Sequence, residues 1–326
     1  MKAESRIDQR EWTTTEVEMS IAFLFPGQGS QVPGMLHALP DHPTVTRTLD
    51  EMSEYLNSDI RELDSEEALQ SSVSVQLALL ACGVSMARAL TEEGVDPEAV
   101  AGLSVGAFAA AVLCGVISLS DAVSLVRQRA EMMVQLYPTG YGLAAIIGLN
   151  EKQVSRLVEE AYTERAPVYV GNINAPRQIV IAGSDEGIRK VLEAARKNGA
   201  RKAEALHVSV PSHCPLLEPV AVALRESLEK MHLQAPNYVY VGNVNARTLR
   251  TPDAIAEDLA SNVAHGVRWY DSLTVLEELG CHLFLEMAPG HVLTQLAKEA
   301  VPSVQALALG ETSLEHALRI VARYSN

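Results

Sequence analysis

The sequence predicts an α/β protein in which a mostly parallel sheet, covered by helices on both faces, is interrupted once by a smaller unit. Three observations carry that prediction. Short apolar runs ending at Gly or Pro alternate with stretches of helical periodicity along most of the chain. The middle of the chain departs from this alternation and reads strand, helix, two strands, helix, strand. Finally, 48% of the 326 residues are hydrophobic, enough to bury a core against both faces of a sheet.

Taken in order, residues 1–19 are polar and aperiodic and read as a flexible arm. Residues 21–25 (IAFLF) are a short apolar run that stops at Pro26-Gly27, the pattern of a buried strand entering a loop. Helical periodicity follows over 44–56 and over 73–93, the latter ending at Gly94, a residue that accepts the left-handed C′ conformation. A brief strand at 100–101, a glycine-flanked turn and a small-residue run over 107–113 precede a helix at 120–135 with its charge on one face.

The departure begins at a strand over 142–149 (GLAAIIGL). An amphipathic helix at 151–162 and strands at 168–174 and 178–182, joined at Ala175-Pro176, follow. A helix at 185–198, capped by Ser184 and closed by Gly199, leads to a strand at 203–210. The order β-α-β-β-α-β is the split βαβ of the ferredoxin-like unit. We therefore expect a ferredoxin-like small domain at 141–207, inserted into a larger α/β domain formed by 20–140 and 208–326. The alternation then resumes with a helix near 215–231, a strand at 238–242, helices at 252–262 and 269–279, a strand at 282–286 and a last helix after Pro289-Gly290.

The charge balance narrows the function. Lys and Arg number 26 against 41 Asp and Glu, a formal net charge of −15. Such a chain repels nucleic acid and anionic membranes, so neither is expected as a partner. No apolar leader precedes residue 21, and no stretch reads as the roughly 18 charge-free apolar residues of a membrane span. Cys82, Cys114, Cys214 and Cys281 are widely spaced, which points to reduced thiols in the cytoplasm and away from a metal site.

The chemistry centres on Gly102-Leu103-Ser104-Val105-Gly106. Gly-x-Ser-x-Gly is a common string, but here it follows a strand and opens a helix. That is the nucleophile elbow of α/β-hydrolase-like sheets, which exposes the serine hydroxyl near a helix N-terminus. The hydroxyl needs a base. Of nine histidines, His213 stands apart in Val-Pro-Ser-His-Cys-Pro (210–215), an apolar strand end held between prolines where the insert returns the chain. A structural loop histidine is the competing reading. No Asp accompanies His213, so a backbone carbonyl is expected to orient its ring. The loop Phe25-Pro-Gly-Gln-Gly-Ser-Gln31 has neither the third glycine of a dinucleotide fingerprint nor a P-loop lysine. It reads either as a source of oxyanion-binding amides or as a plain strand-to-helix turn.

FPGQGSQ, Gly-x-Ser-x-Gly about 75 residues later, an Arg-bearing helix, the ferredoxin-like insert and PSHCPL occur in an order that resembles the malonyl-CoA:acyl carrier protein transacylase family over about 21–300. Within it, GMLHALPDHP (34–43) and GLSVGAFAA (102–110) resemble the malonate decarboxylase epsilon subunit. The resemblance implies Ser104 as the acylated nucleophile and His213 as its base. It also implies Gln28 and the Val105 amide as the oxyanion hole, and Arg129 (in LVRQRAEMM) as the partner of the malonate carboxylate. Arg127 is an equally visible candidate on the same helix. Asn262 occupies the position whose backbone carbonyl orients the histidine. Leu103 departs from the family, which has histidine before the nucleophile. No tightly bound cofactor or metal is implied. The donor would be malonyl-CoA, and the acceptor an acyl carrier protein with a phosphopantetheine-type or dephospho-CoA-type arm, in company with other malonate decarboxylase subunits. Arg189, Lys190, Arg196, Lys197, Arg201 and Lys202 make the insert locally basic, either as a docking surface for such a carrier or for CoA phosphates, or as a solvated face. The rivals to this reading are a malonyl transferase of fatty acid or polyketide synthesis, a serine hydrolase or thioesterase, and a non-catalytic scaffold.

Overall fold

The first apolar run forms β1 (Ser20–Phe25), buried from Ile21 onward. It lies at the middle of a six-stranded sheet because both of its faces are apolar. Phe23 and Phe25 point into one core, Ala22 and Leu24 into the other. Its parallel neighbours are β2 (Ala99–Gly102) and β9 (Cys281–Glu286). Parallel β7 (Val239–Val241) flanks β2, parallel β10 (Gln305–Ala308) flanks β9, and the two-residue antiparallel β8 (Thr248–Leu249) closes one edge. The structure is a computed structural model that describes residues 20–206 and 208–324. The arm expected at 1–19 and residue 207 of the strand expected at 203–210 lie outside the described residues.

One face of this sheet carries α1 (Pro43–Leu56), α2 (Ser72–Glu92), α3 (Gly106–Leu113), α4 (Leu119–Leu136), α7 (Glu218–Leu228), α8 (Pro252–Ser261) and α11 (Leu314–Tyr324). The other carries α9 (Trp269–Glu278) and α10 (Val292–Ala300). Helix α2 corrects the sequence reading, because by length and composition it could cross a bilayer. Here its apolar circumference is packed inside the protein, from Val75 to Leu90, as expected of a helix that is hydrophobic all round.

The middle of the chain forms a separate antiparallel sheet from β3 (Tyr141–Ile147), β4 (Val168–Ala175), β5 (Gln178–Ser184) and β6 (Lys202–Ala205), in the order β4-β5-β3-β6. Helices α5 (Glu151–Ala161) and α6 (Asp185–Lys197) cover one face, and Ile146, Leu157, Ile181 and Val191 join a third core. This is the ferredoxin-like order expected from the sequence. The caps are local. Asn150 and Gln153 form a reciprocal capping box on α5, and the Ser184 hydroxyl accepts from the Gly187 amide at the start of α6. The two sheets are sewn together at β4, where the Ile173 amide donates to Val267 at 2.8 Å and the Val267 amide to Gly171 at 2.9 Å.

Several elements differ from expectation. Strand β6 stops at Ala205 instead of 210, and the chain goes on to the larger domain, where the His213 amide donates to the Val263 carbonyl. The helix near 215–231 begins with a 3-10 turn at Pro215–Leu217 and ends at Leu228. Strand β10 and helix α11 were not foreseen; the four residues of β10 are too few for periodicity to register.

Candidate active site

Strand β2 ends at Gly102 and α3 begins at Gly106, so three residues make the corner between them. The corner is possible because its glycines have no Cβ. A methyl group on Gly106 would sit 2.2 Å from the Phe25 carbonyl oxygen, so β1 and α3 approach only as backbones. Ser104 sits at φ 57°, a left-handed conformation that costs a serine about 1–2 kcal/mol. It is held there from outside the corner. The Asn243 side chain accepts from the Ser104 amide at 2.9 Å and donates to the Gly102 carbonyl at 2.9 Å, spanning the turn.

His213 meets this serine across 109 positions of sequence. Its Nε2 lies 2.8 Å from Ser104 Oγ and its Nδ1 2.6 Å from the Asn262 carbonyl oxygen. A carbonyl only accepts, so Nδ1 carries the proton and Nε2 presents its lone pair to the hydroxyl. His213 also has a positive φ, 64°, fixed by its amide donating to Val263 at 2.7 Å. Burial, reinforced by the charge of Arg129, pushes its pKa down to about 3, so the imidazole is neutral at ordinary pH. A neutral imidazole in this geometry can take a hydroxyl proton. The adjacent Cys214 thiol is pushed up to about 12 by burial and stays protonated.

Arg129 projects from α4 into the same cavity. It is 2% exposed, donates from Nη2 to Ser104 Oγ at 3.0 Å and from Nη1 to Gln76 Oε1 at 2.6 Å, and has no carboxylate partner among the described residues. Its Nε is buried without any partner. Burial lowers its pKa to about 10, so it remains charged. A buried guanidinium with donors to spare is a site for an anion, and its planar fork suits a carboxylate. Arg127 is half-buried and does not line the cavity, which separates the two candidates of the sequence analysis.

The cavity, about 50 Å³, is lined by Gln28, Leu103, Ser104, Arg129, Met133 and His213 together with Asn172 and Ser212. The Gln28 side chain is turned to Ser72, donating from Nε2 at 3.3 Å. Across Leu143 and Val208 the cavity adjoins an open groove of about 760 Å³ that runs along the small domain past Arg189 and Arg196. The six basic residues of the insert are partly neutralised there: Lys190 pairs with Glu186, Arg189 with Glu193 and Lys202 with Glu204.

The structure thus brings Gln28, Leu103, Ser104, Arg129 and His213 to one cavity and puts the Asn262 carbonyl behind the histidine. Sequence reasoning missed Gln76, Asn172 and Asn243. The signal for Gln76 was present, as one amide inside the apolar run VQLALLA of a buried helix. Asn243 had none beyond following a strand.

A serine on a strand–helix corner, an imidazole in contact with it and a buried arginine beside both are the parts of an acyl transferase. The family model described as acyl transferase domain matches residues 22–324. The malonyl CoA-acyl carrier protein transacylase of Escherichia coli K12 is 38% identical over 298 residues, 90% of this chain and 96% of that protein. That of Bacillus subtilis 168 is 35% identical over 89% of this chain and 93% of its own. The acyl-carrier-protein S-malonyltransferase of Burkholderia pseudomallei 1710b superposes with a TM-score of 0.87 at 37% identity, over 92% of this chain and all of that one. A malonyl-transacylase solved in complex with its type II PKS acyl-carrier protein gives 0.88 at 35% identity, over 93% and 99%. The chain belongs to the malonyl CoA-acyl carrier protein transacylase family.

Proposed function

We propose that this enzyme moves a malonyl group from malonyl-CoA, through an ester on Ser104, to the prosthetic-group thiol of an acyl carrier protein. The observation that carries the reading is the buried, carboxylate-free Arg129 placed 3.0 Å from Ser104 Oγ and within one cavity with His213. His213 Nε2 takes the hydroxyl proton as Oγ attacks the thioester carbon, and the tetrahedral oxyanion is met by the backbone amides of Val105 and Gln28. The carbon–sulfur bond then breaks and the CoA sulfur leaves with the proton from His213. A carrier thiol enters, gives its proton to His213 and reverses the steps. Arg129 holds the free carboxylate throughout and so selects malonyl over acetyl. The groove past Arg189 and Arg196 is the path of the pantetheine arm, and the exposed Arg196, Lys197 and Arg201 form the docking face for an acidic carrier. Reversing two of these charges should weaken transfer to the carrier and leave acylation by malonyl-CoA intact; equal loss in both would reject that face.

The acceptor we favour is the carrier subunit of a malonate decarboxylase, with its dephospho-CoA-type arm. Support comes from the stretches 34–43 and 102–110, which resemble the epsilon subunit, and from Leu103, which puts an apolar side chain in the cavity at the family's histidine position. The test presents malonyl-CoA with each type of carrier and with water. Faster transfer to the dephospho-CoA-type carrier supports this assignment, faster transfer to the phosphopantetheine carrier moves the enzyme to fatty acid or polyketide synthesis, and dominant hydrolysis would make it a thioesterase.

A further inference from the structure

Helix α8 touches both halves of the Ser104–His213 pair, although it contributes no side chain to the cavity. The two residues that follow its last turn supply the backbone oxygens that hold His213: Asn262 O on Nδ1 at 2.6 Å and Val263 O on the amide at 2.7 Å. One turn earlier, Asp258 is buried, and its carboxylate accepts from the Asn243 amide at 2.8 Å and the Val244 amide at 3.2 Å, with the Tyr240 hydroxyl at 3.4 Å. Asn243 is the residue whose side chain spans the turn from the Gly102 carbonyl to the Ser104 amide. Gly242 leaves room for this approach: a Cβ there would lie 2.9 Å from Asp258 Oδ1. Asp258 lines a separate pocket of about 250 Å³ with Arg247, Glu257 and His265, and it does not line the cavity that holds Ser104.

We propose that Asp258 is a positioning residue which, through Asn243, fixes the Ser104 backbone, so that α8 sets the serine–histidine separation from both ends. A buried carboxylate that has no ion pair among the described residues is costly, and burial raises its pKa. The cost is matched by four donors from the segment that clamps the strained corner: the amides of Asn243 and Val244, the Tyr240 hydroxyl and, at 3.5 Å, Asn243 Nδ2. The inference rests on Ser104 and His213 doing the chemistry.

The test is rapid-quench acylation by malonyl-CoA, reading burst amplitude (the fraction of competent sites) separately from the acylation rate constant. In Asp258→Ala the rate constant should fall at least about 10-fold with the KM for malonyl-CoA held within about twofold, because a misplacement of about 1 Å at the reacting atoms costs up to about 100-fold. Asp258→Asn, which keeps one oxygen for the two amides, should recover most of that loss. Asn243→Ala leaves both backbone amides on Asp258 and should show the same fall, which keeps the test decisive should Asp258→Ala not fold. Val191→Ala, a core truncation in the small domain, provides the control: lower thermal stability with an unchanged rate constant. Wild-type rate constants in Asp258→Ala and Asn243→Ala, with only amplitude or melting temperature reduced, would overturn the proposal while leaving the Ser–His reading intact. A burst that survives in Ser104→Ala would overturn both.

Discussion

The helices of the small domain are held by their neighbours in sequence. Asn150 and Gln153 cap α5 from one end of its first turn to the other, Ser184 caps α6, and Lys190 and Arg189 pair with Glu186 and Glu193 four residues away. The corner at Ser104 is held by residues far along the chain: Phe25 packs against Gly106, Asn243 spans the turn, His213 and Arg129 converge on the hydroxyl, and Asn262 braces the imidazole. The first region keeps no non-glycine residue at positive φ. The second keeps two non-glycine residues at positive φ and a buried guanidinium nitrogen without a partner. Two of the four non-glycine residues at positive φ among the described residues, Ser104 and His213, thus sit where the surrounding sheet and helices hold them.

The comparison can be broken in several ways. Arg129→Ala should cost malonyl transfer about 3–5 kcal/mol in kcat/KM, because the acyl carboxylate then enters a buried site unpaired, while acetyl transfer improves relative to wild type. Unchanged malonyl preference would show that another group reads the carboxylate. Gly106→Ala should lower stability by about 1–3 kcal/mol and slow acylation more than the stability loss explains, since the added methyl can only be placed by pushing β1 and α3 apart. Thermal melts beside acylation rates measure both effects. In the small domain, Ser184→Ala should cost about 1 kcal/mol through the lost cap and leave the acylation rate unchanged. A rate loss there would mean that the two regions are coupled.

The finest contrast is in acid. His213 titrates at about 3 in the folded protein and near 6.5 when unfolded, so between those values the unfolded chain binds a proton that the folded site refuses. Stability at the corner therefore declines as pH falls below about 6.5. Residues 141–206 contain no histidine. Their Glu186, whose pKa Lys190 lowers through a hydrogen bond and its charge, loses that contribution only as the carboxyl protonates in more acidic solution. Amide exchange at pH 5 should show β2 and α3 losing protection relative to pH 7 while α6 does not. Equal change in both would place the acid-sensitive group elsewhere.

The same division explains what the sequence made readable. The elements of the small domain follow from caps and periodicity within a few residues, and the Gly-x-Ser-x-Gly corner follows from its strand and helix. Ser104, His213 and Arg129 could be named because residue type and local context mark them, or because their motifs resemble a known family. Gln76, Asn243 and Asp258 act through bonds to residues 53, 139 and 15 positions away. The apolar run around Gln76 marks that residue without naming its partner, and nothing in the immediate neighbours of Asn243 or Asp258 marks either.

One measurement bears most directly on the account: intact-mass and peptide-mass analysis after brief exposure to malonyl-CoA without carrier. The wild-type protein should gain a single malonyl group, on the peptide carrying Ser104, and lose it when a carrier thiol is added. Ser104→Ala should gain none. Malonylation of Ser104→Ala, or turnover by the wild type with the label on another residue, would contradict it.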